Sequence, residues 1–260
     1  MKKLLYLISM MLLMTSCSLF EFDNYEDYNA SISGTIKDIT TGENMQQECV
    51  YSVIFGGVIG SYTTGYISAF QKGWDYEAAQ NWLVKSDGTY LNSNIFAGTY
   101  RIEAKEDNFY PVIKDDVIIS KGSNTVDWTV TPYVRIIDPS ITYDASVSKF
   151  KATFKCQYGD PTKANTIYKA VFCIYPDVFV GMSLNNCSSD PEGTKTGGLV
   201  VADGTTINTL YINPAFVSNG HTAEFKYSRT HYLRIAVCAT GTGINSSFHY
   251  NFSPIVSIHY

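Results

Sequence analysis

The residue types that most often carry acid–base or metal chemistry, histidines and paired acids, are poorly spaced for either in this sequence. Asp115 and Asp116 are adjacent, so on a strand they would point to opposite faces and could not act on one bond. No motif of a nucleophile elbow, a phosphate-binding loop or a zinc protease occurs. The four histidines, separated by 10, 18 and 10 residues, lack short metal-ligand spacing: His221, His231, His249 and His259. We therefore expect no catalytic residues, no metal and no cofactor.

Aromatic side chains offer a different chemistry, because an exposed ring can stack on the apolar face of a ligand. Five occur in the segment Gly56–Asn81, which is too long for a simple connection in a β-sandwich: Tyr62, Tyr66, Phe70, Trp74 and Tyr76. This density argues against disorder and leaves either a self-packed apolar patch or a contact surface. For a contact surface, the predicted ligand-binding residues are Trp74, Tyr66 and Tyr76, with Asp75 as an acceptor for hydroxyl groups.

The N-terminus has the composition of an export signal. Two lysines precede an apolar run over residues 4–14, which ends in the small residues Thr15 and Ser16 before Cys17. This run is too short for a membrane-spanning helix, which needs about 20 residues. We therefore expect residues 1–16 to be a cleaved signal peptide.

The stretch Leu13–Cys17 resembles the lipobox of bacterial lipoprotein precursors, in which the cysteine thiol is acylated and becomes the new N-terminus. Residues 17–28 would then be the lipidated cysteine and an acidic tether. Acidic residues in that position are similar to the signal that exports Bacteroidota lipoproteins to the outer face of the outer membrane. The resemblance implies a lipid anchor at Cys17, in the outer membrane and exposed at the cell surface.

Behind the tether, short β-branched and aromatic runs separated by turn residues predominate, and helical periodicity is scarce. They predict an all-β fold with two tandem β-sandwiches, over residues 29–131 and 132–260. The boundary is placed at Thr131-Pro132, because proline cannot donate to a strand ladder. Aromatic residues in strand-like alternations are expected in the core: Trp82, Trp128, Tyr90 and Tyr100.

The distribution of charge limits the choice of partners. Residues 18–131 contain 16 acidic and 7 basic side chains, whereas residues 132–260 contain 8 acidic and 10 basic ones. Neither half has a run of lysine and arginine that could follow a phosphate backbone. We therefore do not expect a nucleic-acid partner.

Turn motifs of the first half, such as Thr41-Gly42-Glu43, resemble those of transthyretin-like or carboxypeptidase-regulatory-like sandwiches. The segment Tyr232–Ala239 is similar to the F strand of immunoglobulin-like and fibronectin-like sandwiches. As a whole, the mature chain resembles a two-domain Bacteroidota lipoprotein family of uncharacterised function, typically encoded beside outer-membrane glycan-capture and import proteins. The resemblance implies a fold and an association with glycan uptake, but it does not fix an activity.

The immunoglobulin-like resemblance also implies a pairing for two of the six cysteines. Cys156 and Cys238 fall on the expected B and F strands, where such sandwiches can carry a disulfide between the sheets. An exported protein meets an oxidising compartment, so this bond is chemically allowed. The alternative is that both are buried free thiols. Cys173 and Cys187 form a second, less supported pair.

Together these features predict an outer-membrane-anchored binding lipoprotein that is not an enzyme. Its partners would be the membrane, through the lipid on Cys17, and a glycan or the outer-membrane glycan-import proteins. The alternative is a structural accessory subunit that contacts other proteins and has no ligand site of its own.

Overall fold

The computed structural model describes residues 27–48, 66–104, 108–163, 166–185, 200–218, 221–240 and 249–260. These residues form 17 β-strands and no helix, which confirms the predicted all-β fold. In this part of the chain no helix is long and apolar enough to cross a membrane. The predicted signal peptide, Cys17 and residues 18–26 of the tether lie outside the described residues.

The first sandwich has two four-stranded sheets. One has the order β4-β1-β7, with β8 continuing beside β1, and the other has the order β3-β2-β5-β6. The eight strands are β1 (Ala30–Asp38), β2 (Tyr66–Gln71), β3 (Ala79–Leu83), β4 (Thr89–Ile95), β5 (Gly98–Ala104), β6 (Val112–Ile119), β7 (Gly122–Thr125) and β8 (Trp128–Val130).

Large aromatic side chains fill the core between these two sheets. The four that were expected there are each at most 2% exposed, which confirms the prediction: Trp82, Trp128, Tyr90 and Tyr100. Strand β1 pairs in parallel first with β7 and then with β8. Between β7 and β8, the backbone at Val126 passes very close to β1. A Cβ added to Gly34 would lie 2.0 Å from the carbonyl oxygen of Val126, so glycine is required at this crossing.

The second sandwich packs the three-stranded sheet β12-β10-β9 on the sheet β11-β15-β16, whose β17 also pairs with β15. A separate hairpin is formed by β13 and β14. The nine strands are β9 (Val134–Asp144), β10 (Lys149–Tyr158), β11 (Thr166–Tyr175), β12 (Asn208–Ile212), β13 (Ala215–Ser218), β14 (His221–Glu224), β15 (Thr230–Thr240), β16 (His249–Phe252) and β17 (Val256–His259).

The predicted disulfide between Cys156 and Cys238 is wrong, because both thiols are free and buried. Cys156 on β10 faces the core between the two sheets. Alternation along β15 places Val237 and Ala239 in that same core, so Cys238 between them points to the outer face and packs in a different cluster. Cys173 is also a buried thiol that forms no disulfide with the described residues. Cys187 lies outside the described residues.

The segment Gly56–Asn81 was predicted as an insertion, but its second half is part of the sandwich. Strand β2 (Tyr66–Gln71) lies in the interior of its sheet, between β3 and β5. Its residues Ile67 and Ala69 are fully buried. Residues 56–65, including Tyr62, lie outside the described residues.

Buried polar groups join the two sandwiches. The guanidinium of Arg135 donates from Nε and Nη2 to the carboxylate of Asp38, at 2.5 and 2.9 Å, and from Nη1 to the carbonyl oxygen of Gly159. The side-chain amide of Asn251 donates to the carbonyl oxygen of Asn108 at 2.9 Å. All four side chains are at most 9% exposed, so these bonds are shielded from water: Asp38, Asn108, Arg135 and Asn251.

Candidate functional site

The candidate site is a cleft of about 720 Å³ at one end of the first sandwich. A volume of this size falls in the range of ligand pockets, roughly 300–1,000 Å³. One wall comes from the turn between β2 and β3, and the other from the chain before β1 together with the connection from β4 to β5. The cleft is lined by Asp27, Tyr28, Asn29, Gln71, Trp74, Tyr76, Ala78, Gln80, Phe96 and Ala97.

The turn between β2 and β3 carries the most exposed rings of the cleft. It includes Gly73, whose φ of 96° lies in a region that side chains with a Cβ rarely adopt. Trp74 is 52% exposed and Tyr76 is 81% exposed. Large aromatic side chains usually lie in the core or at an interface, so two such rings on one turn indicate a contact surface.

The opposite wall is held by the first residues before β1. The ring centroids of Tyr28 and Phe96 are 4.9 Å apart, in a tilted arrangement. Asn29 fixes this wall because its Oδ1 accepts a hydrogen bond from the backbone N–H of Ala97 at 2.7 Å. Its own N–H donates to the carbonyl oxygen of Ile95 at 3.2 Å. The wall therefore has a defined geometry although it lies outside the strands.

Two glutamines replace apolar residues where the core ends and the cleft begins. Ala69 and Gln71 lie on one face of β2, and Gln80 pairs across from Ala69, so all three side chains point toward the interior face. Ala69 is fully buried, whereas both glutamines are half-buried. Gln71 lies over Gly98, where an added Cβ would be 3.0 Å from its Nε2. The side chains on the interior face of β2 and β3 thus change from apolar groups in the core to carboxamides at the cleft.

Two cations near the cleft are already neutralised by pairs of carboxylates. Lys72 Nζ lies 2.5 Å from Asp115 and 2.8 Å from Asp116. The hydrogen bond that Lys72 donates to Asp115 raises the pKa of Lys72 and lowers the pKa of Asp115. The two acids were expected on opposite faces of a strand, but a bulge with a φ of 52° at Asp116 turns both toward the lysine.

The second cation beside the cleft, Arg101, pairs with Glu103 and lies 3.6 Å from Glu77. Its guanidinium also stacks 4.2 Å above the ring of Phe70. Both basic groups are therefore held by acids of the same sheet or its turns, and neither lines the cleft.

The structure brings only part of the predicted site together. Trp74 and Tyr76 line the cleft, but Tyr66 pairs with Leu83 at the far end of the β2–β3 hairpin and does not. Asp75 is exposed on the same turn but is not among the lining residues. Sequence reasoning missed the other eight described lining residues of the cleft: Asp27, Tyr28, Asn29, Gln71, Ala78, Gln80, Phe96 and Ala97.

Other candidate centres are less suited to a ligand. A second cleft of about 470 Å³ lies at the junction of the sandwiches, but its Asp38 and Arg135 are already paired with each other. His231 is buried on β15, and the neighbouring strand β16 begins at His249, which pairs with Ala239 at the other end of β15. The described residues contain no group of three or more metal-ligating side chains.

Fold and site together define a class, namely two-sandwich all-β proteins with an open aromatic cleft. Residues 30–131 match the model of the DUF3823 N-terminal domain, which is described as a protein of unknown function. The first sandwich is therefore similar to the N-terminal domain of the DUF3823 family, in agreement with the predicted resemblance to an uncharacterised Bacteroidota family. No curated protein matches the chain.

Solved structures resemble the chain over both sandwiches. One from Bacteroides uniformis, described as a "putative carbohydrate binding protein", is 24% identical with a TM-score of 0.72, over 89% of this chain and 99% of that one. A DUF3823 family protein from Parabacteroides merdae is 18% identical with a TM-score of 0.64, over 90% and 100% of the two chains. Another from Bacteroides ovatus is 18% identical with a TM-score of 0.63, over 88% and 98%. At these identities the likeness shows the fold.

Proposed function

We propose that this protein is a surface lipoprotein that binds a glycan in the cleft of the first sandwich and has no catalytic activity. The observation that carries the proposal is the exposure of aromatic rings on both sides of one cleft, with Trp74 and Tyr76 on one wall and Tyr28 on the other. A sugar ring presents apolar C–H faces, which stack on such rings, and hydroxyl groups, which need polar partners between them. The side chains of Gln71 and Gln80 provide those partners.

Two further observations support the proposal. The Bacteroides uniformis protein with the same two-sandwich fold is described as a "putative carbohydrate binding protein". The cleft would also be within reach of the proposed anchor, because its lining residue Asp27 follows Cys17 by ten residues. Ten residues span at most about 35 Å. A glycan bound there would be held close to the outer membrane, where import proteins could receive it.

The binding site is tested by a glycan array and by titration of a bound glycan, with the soluble protein that begins after Cys17. We expect Trp74→Ala to weaken binding by about 1–3 kcal/mol, as for an aromatic residue at the centre of an interface. The matched controls are Phe179→Ala and Tyr227→Ala in the second sandwich. Phe179 is 53% exposed and Tyr227 is 81% exposed, values close to those of Trp74 and Tyr76.

The outcomes separate the two functions that the sequence left open. Loss of binding in Trp74→Ala and Tyr76→Ala, with both controls unchanged, supports a glycan site in the cleft. Absence of binding to any glycan would favour the accessory subunit. Equal affinity in all variants would place the site elsewhere.

The anchor is tested separately, because acylation requires the sulfur of Cys17. We expect the wild-type protein to incorporate labelled palmitate and to enter the detergent phase, and Cys17→Ala to do neither. Unchanged partitioning of the variant would refute the lipoprotein assignment.

A further inference from the structure

We infer that the cleft selects uncharged glycans and rejects those that carry carboxylate or sulfate groups. This inference rests on the proposed function and adds the chemical class of the ligand. It comes from the kinds of polar group that line the cleft and from the way in which nearby cations are used.

The polar lining of the cleft consists almost entirely of carboxamides. Among the described lining residues, Asn29, Gln71 and Gln80 contribute side-chain amides, and the one charged residue is the acid Asp27. An anionic sugar bound here would meet no lysine or arginine among the lining residues and would face the carboxylate of Asp27. Selective binding of carboxylate or sulfate groups in proteins usually depends on arginine or on a cluster of cations. The part of the cleft lining that the structure describes therefore lacks the cations that an acidic glycan requires.

Two cations of the neighbouring strands and turns, Lys72 and Arg101, cannot easily supply the missing charge. Lys72 follows Gln71 in sequence, but Asp115 and Asp116 together bind its ammonium group. Arg101 pairs with Glu77 and Glu103. Recruiting either cation to a bound anion would require breaking ion pairs that the protein already has. Over residues 18–131 as a whole, 16 acidic side chains outnumber 7 basic ones.

Amides suit the hydroxyl groups of a neutral sugar, because each hydroxyl both donates and accepts hydrogen bonds. A side-chain amide also offers both, from its NH₂ and its carbonyl oxygen. Among the described residues, the amides of Gln71 and Gln80 form no hydrogen bond with the protein, and the NH₂ group of Asn29 forms none either. These groups are thus available to a ligand, in a cleft whose rings bind the apolar faces.

The inference is tested by affinity electrophoresis of the wild-type protein in gels that contain paired polysaccharides. The probes are pullulan, laminarin, galactomannan and xyloglucan, each run beside its C6-oxidised, carboxylate-bearing derivative, together with alginate and polygalacturonate. We expect retardation by one or more neutral polysaccharides, and loss of that retardation in the oxidised derivative. Trp74→Ala should abolish the retardation by the neutral form.

Substitution of one amide provides the matched test. Gln80→Glu keeps the size of the side chain but removes the NH₂ donor, and we expect it to weaken binding of the retained neutral glycan by about tenfold. Asn213→Asp makes the same change from amide to acid in the second sandwich and should leave binding unchanged. Thermal unfolding of both variants verifies that the fold is intact.

Failure of this inference is distinguishable from failure of the proposed function. Retardation by an anionic polysaccharide that disappears in Trp74→Ala would overturn the selectivity and keep the glycan site. A Gln80→Glu variant that binds the neutral glycan as well as the wild type does would show that the amides do not contact it. Retardation in no gel, or retardation that survives Trp74→Ala, would overturn both.

Discussion

The junction between the sandwiches and the aromatic cleft use similar polar side chains in opposite ways. At the junction, Arg135 makes three hydrogen bonds and Asn251 both accepts and donates one, all away from solvent. In the cleft, the amides of Gln71 and Gln80 make none with the described residues. A buried polar group without a partner is costly, so the junction has a structural role. The half-exposed amides of the cleft can remain available for a ligand.

The aromatic rings differ in the same way. Trp82 and Trp128 are at most 2% exposed and pack in the core of the first sandwich. Trp74, in the same sandwich, is 52% exposed at its end. We expect stability and binding to depend on separate sets of residues, so that variants of one region should leave the other region's property unchanged.

The largest effect is expected from breaking the ion pair at the junction. Arg135→Met leaves the carboxylate of Asp38 buried without its cation, which typically lowers the free energy of unfolding by about 3–5 kcal/mol. The measurement is chemical denaturation, followed by glycan titration of the folded protein. Adding Asp38→Leu to the variant should recover much of the stability, because no isolated charge remains. A loss below about 1 kcal/mol for Arg135→Met would show that water reaches the pair.

An intermediate effect is expected at His231, a buried group whose two ring nitrogens have no hydrogen-bond partner among the described residues. Its ring stacks on that of Phe225, with centroids 4.1 Å apart. Burial lowers the pKa of His231, and repulsion from Arg229 and His259 adds to this. The unfolded chain therefore binds the proton more tightly than the folded protein, so stability falls as the pH decreases below the ordinary value of 6.5.

The measurement for His231 is the thermal midpoint between about pH 7.5 and 5.5. We expect His231→Phe, which preserves the stacked ring, to lose less stability on acidification than the wild type does. The exposed His259 provides the control, and His259→Gln should retain most of the acid sensitivity. An identical pH profile in wild type and His231→Phe would show that other groups determine it.

The smallest effect on stability is expected from the residue with the largest expected effect on binding. Trp74→Ala should change the free energy of unfolding by no more than about 0.5 kcal/mol, the usual range for a surface substitution. Trp128→Ala, in contrast, removes a fully buried ring and should lower that free energy by about 3–5 kcal/mol. A large loss in Trp74→Ala would instead make its ring part of the core.

Sequence periodicity was sufficient for strands with regular alternation and insufficient where the backbone departs from it. Apolar residues between clear turns predict strands over Gly98–Ala104 and Thr166–Tyr175, and these are the observed bounds of β5 and β11. Strand β9 was missed because Pro139 lies within it. A bulge at Asp138, with a φ of 48°, accommodates this proline. The independent folding of residues 29–131 and 132–260 stays a prediction. In separate fragments, the buried polar groups of the junction would lose their partners from the other sandwich.

The cleft could be predicted only where its residues are neighbours in sequence. Trp74 and Tyr76 were found because they are close together on one turn. The opposite wall depends on pairing: Asn29 contacts Ala97, 68 residues later in the chain. Tyr66 does not line the cleft, because the hairpin places it at the end opposite the turn. Spacing along the chain contains no information about these long-range registers.

The most direct test of the account uses the three tryptophans as reporters. Their indole N–H groups should give three resolved signals in a ¹⁵N–¹H correlation spectrum of the protein, since the sequence has three tryptophans. Trp74→Phe identifies the signal of the exposed ring. On titration with a neutral glycan that the protein retains, we predict that the Trp74 signal moves and that those of buried Trp82 and Trp128 stay in place. Saturable binding that leaves the Trp74 signal unmoved would contradict a glycan site in this cleft.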